Sequence, residues 1–273
     1  MTRFSYLYYI TAYCFLFSAP PPVAAQENNR REESHKNKPS AVKSEIQAKP
    51  LGTLILNFNY AVEIPGGDMG KLFGPNSAAG MQCEYMDKSG YFLGLGGDFL
   101  FGDNLKVDVL RNLRTSQGII LGDDNDAADV SLGERGVYFN GYVGKLFKLK
   151  ETPKAMQGLR LSFGVGFLEH NVRISDNRGN ASQVAGIYAN GYDRLTNGIG
   201  MDQFVGYQYM SADHTINFYI GLDITEGFTK NRRLFNFDTM QPDVNPHFDL
   251  LSGLRMGWVL PIHRYYKANE IEY

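Results

Sequence analysis

Two histidines, His170 and His247, are the residues of this sequence best suited to acid–base chemistry. Each lies near the end of an apolar alternating segment, and Asp193, Asp202 and Ser182 occur in or near the adjoining connections. A histidine oriented by a carboxylate could activate a serine or a water, as acyltransferases, deacylases and proteases do. Neither G-x-S-x-G nor H-E-x-x-H occurs. The favoured interpretation is therefore a histidine held by hydrogen bonds at a strand end, and no enzyme activity is expected.

An acidic cluster offers carboxylates of the kind that bind Ca²⁺, at Asp123, Asp124, Asp126 and Asp129. It lacks both the acidic loop spacing and the closing glutamate of a recognised calcium loop. A solvated loop is the expected role, and the sequence predicts neither a metal site nor a cofactor.

Small and polar residues alternate with apolar ones along much of the chain, most clearly in the segment 158–170. Its apolar positions are Leu159, Leu161, Phe163, Val165 and Phe167, and the positions between them are Arg160, Ser162, Gly164 and Gly166. A period of two predicts an extended strand with one apolar face and one small, polar face. Such strands are typical of a membrane β-barrel, whose exterior meets lipid and whose lumen is polar.

Eight segments are expected to form strands, at residues 52–63, 78–87, 90–101, 135–149, 158–171, 199–211, 214–227 and 246–262. The connections alternate in length. Hairpin turns are expected near 87–90, Pro153 and 212–213, and long loops at 64–77, 102–134, 172–198 and 228–245. Short turns on one side and long loops on the other are typical of an up-and-down barrel.

The sequence therefore predicts an all-β fold, a transmembrane antiparallel up-and-down β-barrel of eight strands over residues 51–273. We expect it in the outer membrane of a Gram-negative bacterium, surrounded by outer-membrane lipids, with short periplasmic turns, long extracellular loops and both termini periplasmic. A soluble lipocalin-like barrel is the alternative. Lipocalins enclose an apolar ligand, however, whereas these strands turn charges inward.

Five charged residues share the inner face of the predicted barrel, Glu84, Asp98, Arg160, Asp223 and Arg255. Because an unpaired charge is costly to bury, they are expected to pair into a salt-bridged plug that blocks conduction. A proton or ion path along the same residues is the alternative. Side chains normally fill an eight-stranded barrel, which favours the plug.

Composition and the N-terminal region indicate an exported protein. The chain has 273 residues and a net charge of −2, so nothing is basic enough to suggest nucleic acid. Residues 1–25 have the features of a signal peptide, with an apolar run after Arg3 and small residues at 23–25. Residues 26–50 are polar and charged and are expected to form a disordered periplasmic tail. Once the signal peptide is removed, Cys83 is the only cysteine, so no internal disulfide is expected.

Two segments of the long loops are distinctive. Apolar residues recur at near-helical spacing in the second long loop, at Leu105, Val109, Leu110 and Leu113. This spacing predicts a short amphipathic helix packed on the loop or the barrel rim. The string 191–198 is rich in turn residues and could present a partner surface through Tyr192, Asp193 and Arg194. A capped turn at the rim is the favoured interpretation.

Several glycine–aromatic strings resemble a known family, namely 164–170, 191–198, 204–207, 216–219 and 257–262. On these strings, residues 51–273 resemble the small eight-stranded outer-membrane β-barrels of Bacteroidota, the bacteria with type IX secretion and gliding motility. Within that group the chain is most similar to the PorG barrel subunits of the type IX secretion system.

The resemblance implies a non-catalytic role in protein secretion. It implies a barrel that binds and anchors periplasmic or lipoprotein components of a secretion complex, without catalytic residues, cofactor or small-molecule substrate. Two alternatives stay open. One is a stand-alone structural barrel or surface adhesin that uses its long outer loops. The other is an outer-membrane lipid-modifying enzyme or protease that depends on His170 or His247.

Overall fold

A computed structural model describes residues 52–152, 155–211 and 216–262, in which eight strands form a closed barrel. The strands are β1 (Gly52–Gly67), β2 (Asn76–Asp87), β3 (Tyr91–Gly102), β4 (Val130–Thr152), β5 (Ala155–Asp176), β6 (Thr196–Ser211), β7 (Asn217–Asn231) and β8 (Pro246–Ile262). Each strand pairs antiparallel with the next, and β8 pairs with β1 to close the barrel. The prediction of an all-β, eight-stranded up-and-down barrel is confirmed.

Side chains alternate between the outer wall and the lumen because successive residues of a strand point to opposite faces. In β3, Leu93 and Leu95 are 62% and 71% exposed, whereas Phe92 and Asp98 are buried. The same alternation runs through β1, β5, β7 and β8. The outer wall is therefore apolar around the barrel, and the polar residues of these strands face the lumen.

The two ends of the barrel differ. The connection between β2 and β3 is a tight turn in which Gly90 has a φ of 85°, a conformation that favours glycine. Leu54 near the start of β1 pairs with Ile262 at the end of β8, so both strand ends lie at this short-turn end. Four long loops lie at the opposite, long-loop end: L1 (68–75), L2 (103–129), L3 (177–195) and L4 (232–245).

The strands reach further toward the long loops than the sequence pattern indicated. β4 and β5 stay paired from Val130↔Asp176 to Thr152↔Ala155, beyond the segments predicted from alternation. Toward the long loops their inward residues stay apolar and pack in the core, whereas the outward residues are polar or glycine, so the hydrogen-bonded strands continue beyond the apolar outer wall.

The prediction of a short amphipathic helix in L2 was wrong. Only Arg111–Leu113 form a short 3₁₀ helix there, and Leu105 instead bridges Phe73 of L1. The single α-helix of the described residues, α1, has four residues, Met69–Leu72. No helix within the described ranges is both long enough and apolar enough to cross a membrane.

Two apolar clusters close the lumen. The cap cluster joins inward barrel residues to residues of the long loops, including Phe73, Val109, Leu110, Val184 and Tyr192. The base cluster lies toward the short-turn end and includes Ile55, Phe92, Leu146, Phe204 and Val259. The base cluster surrounds the buried polar residues around Arg160, since Leu146 pairs with Arg160 and the Phe92 ring stacks on its guanidinium.

Several expectations concern residues outside the described ranges. The predicted signal peptide, 1–25, and the predicted tail, 26–50, both lie there. So do Pro153, the turn residues 212–213 and everything after Ile262.

Candidate functional site

The first charge cluster of the lumen is centred on Arg160 of β5. Its guanidinium donates to both carboxylate oxygens of Glu84, at 3.0 and 2.5 Å, and to Oε1 of Gln208 at 2.8 Å. The Tyr142 hydroxyl donates to Glu84 at 2.9 Å. The guanidinium carbon lies 4.0 Å from the ring centroid of Phe92. Arg160 is thus neutralised, hydrogen-bonded and stacked while fully buried, which are the conditions that a buried charge requires.

The second cluster is centred on Arg255 of β8. Nε donates to Asp223 at 2.9 Å, and Nη1 donates to Asp98 at 2.7 Å and to Asn59 at 3.3 Å. A third carboxylate, that of Glu63, lies 3.9 Å from Nη2. One guanidinium therefore connects β1, β3 and β7 to β8 across the lumen.

The five charges expected in the lumen all lie there, in two separate groups. Arg160 with Glu84 forms one group, and Arg255 with Asp98 and Asp223 forms the other. The charge network predicted from the sequence leaves out four further carboxylates that are buried in the barrel strands, Glu63, Glu134, Asp202 and Asp249. The alternation of faces along a strand identifies two of them as inward, because Glu63 shares a face with Asn57 in β1 and Asp249 shares a face with Arg255 in β8.

Two further carboxylates accept hydrogen bonds from uncharged donors in the space above the two arginines. Asp202 accepts from the Tyr138 hydroxyl at 2.7 Å and from Asn140 at 2.8 Å. Glu134 accepts from Asn76 at 2.9 Å. A cavity of about 20 Å³ near Asp202 has room for about one water molecule. The described lumen is therefore filled by side chains.

The long-loop end of the lumen contains a buried imidazole–carboxylate pair. Nε2 of His170 lies 3.0 Å from Oδ2 of Asp249, which also accepts from the Thr229 hydroxyl at 2.5 Å. The edge of Phe73 packs on the imidazole, with ring centroids 5.8 Å apart. The hydroxyl and the ring are both bound to the carboxylate, so this arrangement orients the ring and does not activate Thr229 as a nucleophile.

The alternative His–Asp–Ser grouping is not formed by the residues named for it. His247 pairs with Asp243 of L4, at 3.2 Å. Asp193 instead pairs with Arg233, and Asp202 lies deeper in the lumen. The Ser182 hydroxyl donates to Asp123 at 2.7 Å. Strand ends alone do not reveal which loop residue folds back onto them, which is why the aspartates were misassigned.

The string around Tyr192 joins L3 to L4. Tyr192 packs against Phe237, with centroids 5.3 Å apart, and Asp193 accepts from Arg233 at 2.8 and 2.5 Å. Arg194 pairs with Asp238. The hydrogen bonds to Asp193 raise the pKa of the Arg233 guanidinium, and burial raises the pKa of Tyr192.

These contacts change the interpretation of Tyr192, Asp193 and Arg194. Their side chains hold the rim together and are mostly buried, so they are not displayed to a partner. The Asp193 side chain also accepts from the Leu195 N–H at 3.2 Å, as expected for a capped turn.

The acidic residues of L2 bind other loop residues. Asp124 accepts from Asn180 at 3.0 Å, which lowers its pKa, and Asp129 accepts from Asn177 at 3.3 Å. Across the described residues, no group of three histidine, cysteine, aspartate or glutamate side chains is placed to hold a metal ion. Asp123, Asp124 and Asp129 thus connect L2 to L3.

Comparison with known proteins gives a likeness of fold alone. No family model matches the sequence. No curated protein is significantly similar to it. Solved structures that resemble it include Ail, the attachment invasion locus protein of Yersinia pestis, in complex with the heparin analogue sucrose octasulfate. That match has 12% identity and a TM-score of 0.38, and it covers 77% of this chain and 99% of Ail.

Two further small barrels match at a similar level. Neisserial surface protein A has 11% identity and a TM-score of 0.37, covering 74% of this chain and 95% of its own. The outer membrane protein OprG from Pseudomonas aeruginosa has 12% identity and a TM-score of 0.33, covering 77% and 96%. At these scores the likenesses carry no argument, and the fold assignment rests on this chain's own strand order and register.

Proposed function

We propose that this protein is a non-catalytic outer-membrane β-barrel that anchors a periplasmic or lipoprotein assembly. The observation that carries the proposal is a filled, doubly closed lumen inside an apolar outer wall. The apolar wall supports membrane insertion. Because the lumen is filled, the protein acts through the two ends of the barrel.

Membrane insertion is supported by the outer wall and by strand length. Large apolar residues such as Phe58, Leu95, Val143, Leu222 and Trp258 are exposed on the wall. Every strand has at least 12 residues, which exceeds the roughly 9–11 that a tilted strand needs to cross a bilayer. In water, so large an apolar surface would favour aggregation; in lipid it is the expected exterior.

A transport function finds no support in the lumen. The Arg160 and Arg255 clusters cross it, the base cluster packs around the Arg160 group, and the cap cluster covers the long-loop end. An ion would have to displace matched buried charges to pass, which is costly. The protein therefore acts through its surfaces.

The anchoring role rests on the resemblance to the PorG barrel subunits and on the arrangement of the chain. We place the short-turn end, at which β1 begins and β8 ends, in the periplasm. Periplasmic components of a type IX secretion complex are the partners that this resemblance implies.

The test is affinity purification of the tagged full-length protein from detergent-solubilised outer membranes, followed by mass spectrometry. Ser89→Trp obstructs the exposed β2–β3 turn, and Ser116→Trp places the same bulk in exposed L2 as the matched control. We expect stoichiometric secretion components with the wild type and with Ser116→Trp, and their loss with Ser89→Trp. A barrel that purifies alone, under conditions that preserve other membrane complexes, contradicts the proposal.

A surface adhesin is the second candidate, and one observation favours it. L3 and L4 expose large apolar side chains, with Ile187 at 78%, Leu234 at 95% and Val244 at 80%. If adhesion is the function, a Leu234→Ser/Val244→Ser variant should reduce attachment of whole cells while secretion is unchanged. Unchanged attachment would remove this candidate.

A further inference from the structure

A cavity of about 220 Å³ lies at the long-loop end of the barrel, between the loops and the strand ends. Its open side is marked by Lys71 of L1, whose side chain is 78% exposed, and by the half-buried pair His247 and Asp243. Its closed side is formed by His170 and Asp249, whose side chains are only 4% and 1% exposed. A molecule entering past Lys71 would therefore reach a buried imidazole and a buried carboxylate.

Each residue of the closed side keeps one polar atom without a protein partner. Nδ1 of His170 and Oδ1 of Asp249 are buried and accept no hydrogen bond from any described residue. Nε2 and Oδ2 already bond to each other, so the imidazole donates from Nε2 and its Nδ1 lone pair is free when the ring is neutral. Both free atoms are then acceptors, and a buried acceptor without a donor is costly.

Two carboxylates that line the cavity have no lysine or arginine partner among the described residues. Lys71 pairs with Asp68 at 2.7 Å, and that hydrogen bond, together with one from the Phe248 N–H, lowers the pKa of Asp68. Arg194 is neutralised by Asp238. Asp243 and Asp249 each pair with an imidazole instead, which leaves these two carboxylates as the groups that a cationic ligand would meet.

We propose that this cavity binds a small aliphatic amine. Its ammonium group donates to Oδ1 of Asp249 at the closed side, and its carbon chain packs on Met69, Leu72 and Val107, which form the apolar part of the lining. The volume suits a molecule of several heavy atoms better than a bare ion. No three potential ligand residues of the described chain are placed for metal coordination, so hydrogen bonding to an ammonium is the favoured mode.

The test is isothermal titration calorimetry of the full-length protein in detergent micelles with putrescine, a four-carbon diamine. Its uncharged analogue 1,4-butanediol has the same length and is the matched control ligand. We expect saturable binding of one putrescine per barrel and no measurable binding of butanediol. Equal binding of both, or no saturable binding of putrescine, overturns the proposal and leaves a cavity that holds only water.

Variants locate the binding. Asp249→Asn keeps the side-chain shape and removes the charge, and it should weaken putrescine at least tenfold. Asp126→Asn makes the same change in exposed L2 outside the cavity and should leave affinity unchanged. If Asp249→Asn does not give a folded barrel by gel mobility before and after heating, Asp243→Asn at the open side takes its place with an expected loss of severalfold. Undiminished binding in a folded cavity variant contradicts the proposal.

A Zn²⁺ titration separates the two kinds of cation. Binding of Zn²⁺ that depends on Asp249, without binding of putrescine, overturns the amine proposal in favour of a metal site. Because none of these readouts involves a protein partner, failure here is distinct from failure of the anchoring role.

Discussion

Arg160 shows how a single residue can be both highly charged and completely enclosed. Glu84 balances its charge, Gln208 accepts a further hydrogen bond, and the rings of Phe92 and Tyr219 pack on the guanidinium. Removing one member of such a set leaves the others desolvated and unmatched, which costs more than the pair contributes when complete. Arg160 is thus more sensitive to loss of its carboxylate than a surface arginine would be.

Glu84→Gln should lower the free energy of unfolding by about 3–5 kcal/mol, because it leaves the buried Arg160 charge without a counterion. Adding Arg160→Met should recover part of that loss, since the unpaired charge is then gone. Urea unfolding in lipid vesicles measures both. Additive costs in the double variant would show that the two residues are not coupled.

Gly221 of β7 lies where the backbone of β6 leaves no room for a side chain. A Cβ atom there would lie 2.3 Å from the Val205 carbonyl oxygen and 2.4 Å from the Cα of Gly206 on β6. Gly221→Val should therefore prevent assembly of the barrel, detected as loss of the heat-modifiable band on gels. Gly141→Val is the control, because its Cβ meets only the Leu95 side chain at 3.6 Å. Normal assembly of both variants would contradict this account.

At the scale of elements, L3 and L4 act as one unit. Arg233 of L4 binds Asp193 of L3, and Asn112 of L2 donates to the carbonyl groups of Phe237 and Asp238 at 3.0 Å. Long loops without such contacts are usually mobile. These contacts connect three long loops at their buried side and leave their apolar residues exposed.

Arg233→Ala should loosen this unit, since it removes both hydrogen bonds to Asp193. We expect added protease to cleave L4 on intact cells several times faster in this variant than in the wild type. Arg178→Ala is the control, because Arg178 bonds a carbonyl of L2 away from this contact. Equal cleavage rates in the three proteins would show that the ion pair does not restrain L4.

The strands were predictable from the sequence, whereas the contacts among the long loops and the cap cluster were not. Alternation located all eight strands and the inward phase of Arg160 and Arg255, because a period of two is a local property of the chain. The partners of His170 and Arg194 are Asp249 and Asp238, which are distant in sequence. The near-helical spacing in L2 misled because Leu105, Val109 and Leu110 are buried by tertiary contacts with L1 and the rim, without a regular helix.

At the scale of the whole molecule, the cap cluster, the charge network and the base cluster together obstruct the lumen. Purified protein in planar lipid bilayers should therefore show no ion conductance above the background of the bilayer alone. Removing the L1 part of the cap by replacing L1 with a short Gly–Ser turn should still give none, because the base cluster and the arginines remain. Steady single-channel steps in the wild type would contradict the closed lumen.

The proposed orientation can be tested with single cysteines in a Cys83→Ala background. Ser116→Cys in L2 should react with a membrane-impermeant maleimide on intact cells. Ser89→Cys in the β2–β3 turn should react only after the outer membrane is permeabilised. The reverse pattern would place the long loops in the periplasm. Native Cys83, on the lipid-facing wall, should resist the reagent in both conditions.

The position of Arg255 has a consequence for how the barrel forms. Arg255 lies on β8 opposite Ala61 of β1, at the seam where the first and last strands meet, and it bonds Asn59 across that seam. A slip of β8 by one residue would turn Arg255 into the hydrocarbon and leave Asp98 and Asp223 without a cation. Arg255 therefore reaches its carboxylate partners only when β8 pairs with β1 in the native register. A barrel closed in the wrong register would place a charge in lipid. This unfavourable pairing could still separate and re-form in the native register.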